Sequence, residues 1–94
     1  MPTTAKLTDS QIQEELKKLA GWELKDGQIS KLYKFKDFLE SIAFVNRVAQ
    51  LAEAKDHHPD ILIRYNKVIL MLVTHSAGGL TEKDFGLARQ IDTP

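Results

Sequence analysis

The chain has 94 residues, 43% of them hydrophobic and 28% charged, a composition that suits one small globular domain rather than two. Lys plus Arg and Asp plus Glu each number 13, so the formal net charge is zero, and nothing in the balance calls for nucleic acid or anionic lipid as a partner. No cysteine occurs, which excludes a disulfide scaffold, a thiolate nucleophile and a Cys-ligated zinc or iron–sulfur centre while leaving the compartment open.

Met1 to Ser10 has no apolar stretch of the kind a secretory signal needs, so a soluble cytoplasmic protein is the expectation. Thr8 with Gln11 three residues on forms a capping box, and Leu7 is placed to staple onto Ile12. Ile12, Leu16 and Leu19 then recur at helical spacing, and Gly21 suits the position just past a helix end. Trp22 to Leu24 and Ile29 to Phe35 read as strands around Asp26-Gly27, a dipeptide that favours the positive φ of a tight hairpin. Trp22, the lone tryptophan, belongs in the core or at an interface.

Asp37 with Glu40 repeats the capping pattern ahead of a longer helix. Its apolar stripe runs Phe38, Ile42, Val45, Ala49 and Ala52, widened by Phe44, Val48 and Leu51. Ile61 to Tyr65 and Val68 to Thr74 flank Asn66-Lys67 as a second hairpin, and Thr81 with Asp84 opens a last helix carried by Phe85, Ala88 and Ile91. The order α-β-β-α-β-β-α predicts an α+β fold. A four-stranded antiparallel sheet carries helices packed on one face, in a single domain over residues 1–94. A core of this size buries roughly 60–65% of the unfolded surface, so self-association would help it. Val68 to Val73 is apolar on both faces, yet far too short to span a membrane. Its second face needs cover, which predicts a subunit interface; the alternative is a few tolerated surface apolar residues.

The polar chemistry collects around His57, His58 and His75. A turn at Asn66-Lys67 pairs Tyr65 with Val68 and Ile61 with Leu72, and the same register sets His58 opposite His75. Pro59 cannot donate to a ladder, so the strand starts after it and the histidines sit at its mouth. His57 points the other way unless Pro59 bends the chain, and which two imidazoles share a pocket stays open. Glu53 and Asp56 precede the pair, Asp84 lies in the first turn of the last helix, and Gly78-Gly79 allow a tight turn near a ligand. Imidazoles with carboxylates and no thiol suit proton transfer near neutral pH, where an unperturbed His titrates at about 6.5. The plainer alternatives are that Asp84 only caps Thr81, that the glycines only connect, and that Glu53 is only solvated. Three His could hold zinc, but adjacent His57-His58 diverge on an extended chain, so metal is the weaker reading.

Asp56-His57-His58-Pro59, Tyr65-Asn66-Lys67-Val68, Thr74-His75 and Gly79-Leu80-Thr81 with Asp84 resemble the pterin-4a-carbinolamine dehydratase family. Gly21-Trp22, Tyr33 to Phe38 and Phe44 to Ala49 are similar to its first strand, second strand and long helix, so the resemblance covers nearly the whole chain. It implies a lyase, without metal or cofactor, that dehydrates 4a-hydroxytetrahydropterin to quinonoid dihydropterin during tetrahydrobiopterin recycling. By position, His57, His58 and His75 correspond to the family's catalytic histidines. His57 and His75 would transfer protons, and His58 would line and orient the pterin. Glu53, Asp56, Pro59 and Asp84 would bind substrate or orient the imidazoles. Ile61 replaces a tryptophan usual in vertebrate members and Lys83 replaces an arginine, so activity should survive with broader substrate preference. The implied partners are a small-molecule pterin and further copies of the chain, as a homodimer or homotetramer, with no nucleic acid and no membrane. Vertebrate members also serve as dimerisation cofactors of a transcriptional regulator. That gives the rival reading of a protein-binding module whose long helix offers Val48 or Leu51 on an outer stripe.

Overall fold

A computed structural model describes residues 5–93; the first four residues of the stretch read as lacking a signal lie outside it. In chain order the elements are α1 (Asp9–Lys17), β1 (Glu23–Lys25), β2 (Gln28–Lys34), α2 (Phe38–Lys55), β3 (Asp60–Arg64), β4 (Lys67–Leu72), a short 3₁₀ turn (His75–Ala77) and α3 (Glu82–Asp92). All strand pairs are antiparallel and the sheet order is β1-β2-β4-β3, which is the α+β architecture expected.

The caps act where the sequence places them. Thr8 and Gln11 exchange hydrogen bonds at the start of α1, and Thr81 and Asp84 cap α3. Asp37 accepts from the Glu40 N–H, but the Glu40 carboxylate reaches past it to the Lys36 N–H. Helix α1 stops at Lys17, short of Gly21, and Gly21 takes its positive φ in the loop that follows. At the first hairpin Asp26 and Gly27 both have positive φ, as their sequence requires.

The second hairpin departs from expectation. Tyr65-Asn66, not Asn66-Lys67, forms its loop, so Arg64 pairs with Lys67 and Ile61 with Leu70. The cause is Asn66, whose Nδ2 donates to the Phe35 carbonyl while its own carbonyl accepts from the Phe35 N–H. That clasp draws Asn66 into the turn and leaves Tyr65 at φ 51. Every pair therefore shifts by two, and the ladder ends at Asp60 opposite Met71. His58 is thus not set against His75.

Helix α2 is also rotated from its predicted face. Ser41, Val48 and Ala52 are buried, and Phe44, Val45 and Leu51 pack on the core beside them. Phe38 is half-exposed, Ala49 is exposed and Leu39 is 77% exposed. The helix carries apolar residues on two flanks, and packing on β4 selects the flank with small Ser41 and fully buried Val48. Val48 and Leu51 are consequently core residues and not members of an outer stripe.

The core lies between the helices and one face of the sheet, where Ile29, Val68, Leu70, Leu72, Phe85 and Leu87 have no exposure. On the opposite face Leu32, Ile69 and Leu62 stand in one row across β2, β4 and β3. Leu32 and Leu62 are exposed there, and Ile69 and Met71 are half-buried. The two-faced hydrophobicity of β4 is real, and within the described residues only its inner face is covered.

Candidate active site

The end of α2 decides where the two adjacent histidines go. Asp56 takes the left-handed conformation at φ 50, ψ 44, and the His57 N–H reaches back to the Ala52 carbonyl. This is the closing geometry of a Schellman-type cap, and Asp serves where Gly or Asn is commoner. Asp56 therefore contributes its backbone: it turns His57 inward to 9% exposure and leaves His58 outside.

His57 meets Asp84. Its Nε2 lies 2.6 Å from Oδ1 of Asp84, which is fully buried. The other carboxylate oxygen, Oδ2, accepts from the Thr81 N–H at 2.9 Å and from the Thr74 hydroxyl at 2.8 Å. Asp84 thus divides its oxygens, Oδ2 serving the cap of α3 and Oδ1 meeting His57. An ionised carboxylate can only accept, so with Asp84 as the anion Nε2 of His57 is the donor of the pair.

His58 makes a separate pair on the surface, with Nε2 2.7 Å from Glu53 Oε1. Both side chains are more than half exposed, so this contact orients the ring and contributes little to stability. His75 is exposed at the start of the 3₁₀ turn, which Gly78 ends at φ 74. It lines a cleft of about 520 Å³ with Asp26, Gln28, Asp60 and Gly79, whereas His57 lines one of about 240 Å³ with Lys55, Glu82 and Lys83. The larger cleft falls in the ordinary range for small-molecule sites. The structure thus joins His57 to Asp84 and His58 to Glu53.

Two groups escaped the sequence reading. Thr74 is buried and bonded to Asp84, and nothing in a Thr closing an apolar strand announces that. The second group lies at the far end of α3. Asp92 accepts from Trp22 Nε1, Lys31 Nζ and the Tyr33 hydroxyl at 2.8, 3.1 and 2.5 Å. A carboxylate in the last turn opposes the helix dipole, and that was the available signal that donors must converge on it. Burial first, then the hydrogen bond to Asp92, push the Tyr33 phenol far above its usual range.

The family model described as pterin 4 alpha carbinolamine dehydratase matches residues 5–93. The chain belongs to that family. It is 56% identical over 88 residues, 94% of each chain, to the "Putative pterin-4-alpha-carbinolamine dehydratase" of Mycobacterium sp. (strain KMS). A protein of the same name from Sulfurisphaera tokodaii is 51% identical over 87 residues, 93% of this chain and 94% of the relative. Among solved structures, a transcriptional coactivator/pterin dehydratase from Brucella melitensis is similar at a TM-score of 0.89 and 40% identity, over 93% of this chain and 95% of that one. Membership in the dehydratase family confirms the resemblance carried by the histidine motifs. Among the described residues no helix is long and apolar enough to cross a membrane.

Proposed function

We propose that this chain is a hydro-lyase that dehydrates a 4a-hydroxytetrahydropterin to the quinonoid dihydropterin. The reaction expels the C4a hydroxyl as water and takes the N5 proton, so it needs one acid and one base and no electron acceptor. Imidazoles supply both, at roughly 10²–10⁴-fold each when well positioned. The single observation that carries the reading is the buried His57–Asp84 pair, in a chain of this family. His57 and His75 would handle the leaving hydroxyl and N5, His58 with Glu53 would orient the pterin, and Asp56 and Pro59 would shape the approach. No metal or cofactor is required, and the domain would work in the cytoplasm as a homodimer or homotetramer using the apolar outer face of the sheet.

Stopped-flow mixing with chemically generated 4a-hydroxytetrahydropterin tests this. Acceleration that survives a chelator and falls at least about 10²-fold in His57→Ala is expected. A wild type no faster than the spontaneous reaction would refute the reading. A second reading, a protein-binding module, is favoured by exposed Leu39 and Phe38 at the start of α2 and by the coactivator named among similar structures. It predicts that Leu39→Ser weakens association while dehydration is untouched.

A further inference from the structure

We infer that Thr74 is a positioning residue that couples the two histidines of the proposed dehydratase, fixing the protonated nitrogen of His57 through Asp84 while anchoring the loop that carries His75. The inference rests on the dehydratase reading for its kinetic consequence only; the chain of hydrogen bonds stands by itself.

The chain has one direction. Asp84 Oδ1 and Oδ2 can only accept when ionised, so the Thr74 hydroxyl gives its proton to Oδ2. Thr74 Oγ1 is also 2.8 Å from Thr81 Oγ1. Having donated already, Thr74 must accept there, and Thr81 is the donor. Thr81 Oγ1 in turn accepts from the Lys83 N–H, so the series Lys83 N–H to Thr81, Thr81 to Thr74, Thr74 to Asp84 has every proton placed. His57 Nε2–H closes it from the other side on Oδ1. Thr74, Thr81 and Asp84 are at most 5% exposed, so water does not compete for these bonds.

Thr74 is held firmly enough to impose this. Its backbone pairs with Gly79 in both directions, N–H to carbonyl at 3.1 Å and carbonyl from N–H at 3.3 Å, closing the loop around His75. The hydroxyl is thereby aimed at the carboxylate by the same residue that fixes the root of the His75 turn. Removing that donor leaves Oδ2 with the Thr81 N–H alone, which disfavours the anion and lets the proton shared with His57 move toward Asp84. Once the Nε2 proton has moved to Asp84, Nδ1 takes a proton from solvent to keep the ring neutral; the pair then holds two protons, Nδ1–H replaces the free lone pair, and His57 is no longer a base.

The test is nitrogen-15 imidazole spectroscopy of the full chain, with no substrate, on wild type, Thr74→Val and Thr74→Ser. Wild type and Thr74→Ser should hold His57 in the Nε2–H form. Thr74→Val, which keeps the shape and removes the donor, should mix in the Nδ1–H form. In the dehydration assay Thr74→Val should lower kcat by about 10–100-fold, by analogy with the loss of an outer partner of a metal-bound imidazole, with KM within about twofold. Thr74→Ser should restore most of kcat. Unchanged His57 nitrogen shifts in Thr74→Val would overturn the proposal, whether or not the protein is a dehydratase. If Thr74→Val does not fold, Thr74→Cys, a weak donor of similar volume, is read in the same way. A wild type that shows the tautomer but no dehydration would refute the enzyme reading and leave the coupling in place.

Discussion

The two ends of α3 each present a buried or half-buried carboxylate to donors from other elements, and they use it oppositely. At the N-terminal end Asp84 sits where the helix dipole favours an anion, and its partners are two threonines and His57. At the C-terminal end Asp92 sits where the dipole opposes it, and an indole N–H, an ammonium and a phenol hold it in place. Arg47 reinforces that end by donating to the carbonyls of Gln90, Ile91 and Thr93. The favourable end accepts an imidazole from outside the helix; the unfavourable end spends its donors on fastening the helix to Trp22, β2 and α2.

The largest test of this contrast is kinetic. Asp84→Asn should lower kcat/KM by at least about 10²-fold, while Asp92→Asn should leave it within about threefold. Equal losses from both would mean that α3 acts as one catalytic unit and the division is wrong. Next comes stability. Asp92→Ala strands three donors and should lower stability by about 1–3 kcal/mol, seen as a fall in Tm of roughly 5–15 °C. A melt matching wild type would remove the fastening role.

A pH series sharpens the comparison further. The Tyr33 phenol is held far above the value of about 10 that it has in an unfolded chain. The folded state therefore keeps a proton that the unfolded state releases, and this contribution is full below pH 10 and shrinks as pH rises beyond it. Tyr33→Phe should lower stability near neutrality by about 1 kcal/mol through the lost bond to Asp92, and should flatten the alkaline fall above about pH 10, read by denaturant melts at stepped pH. The smallest effect belongs to the exposed pair. Glu53→Gln should shift Tm by no more than about 4 °C, because a solvated His–carboxylate contact of this kind is worth roughly 0.5 kcal/mol at most. A larger shift would show that Glu53 fastens the end of α2 as Asp92 fastens the end of α3.

Local signals carried far. Thr8, Asp37 and Thr81 announced three helices because a cap is settled by a few neighbouring atoms, and Asp26-Gly27 announced a turn for the same reason. The second hairpin was legible as a hairpin but not in its register. Asn66 is recruited by Phe35, 31 residues away, and no turn rule contains that partner. The face of α2 was misplaced because two apolar flanks compete on one helix and only the sheet chooses between them. At the site, the residues to watch were visible as His57, His58, His75, Glu53 and Asp84, yet their pairing was not. Asp56 set it, by turning left-handed and sending the next two residues, His57 and His58, in opposite directions.

The sequence by itself determined the order of elements, the α+β class, the family and the inventory of acids and bases, since each depends on residue type and short spacing. Only the tertiary structure decided which carboxylate meets which imidazole and that Thr74 stands behind Asp84. The two buried contacts of Asp84 join residues 10 and 27 positions apart, and they form because burial leaves each polar group only the partners the packed fold brings within reach.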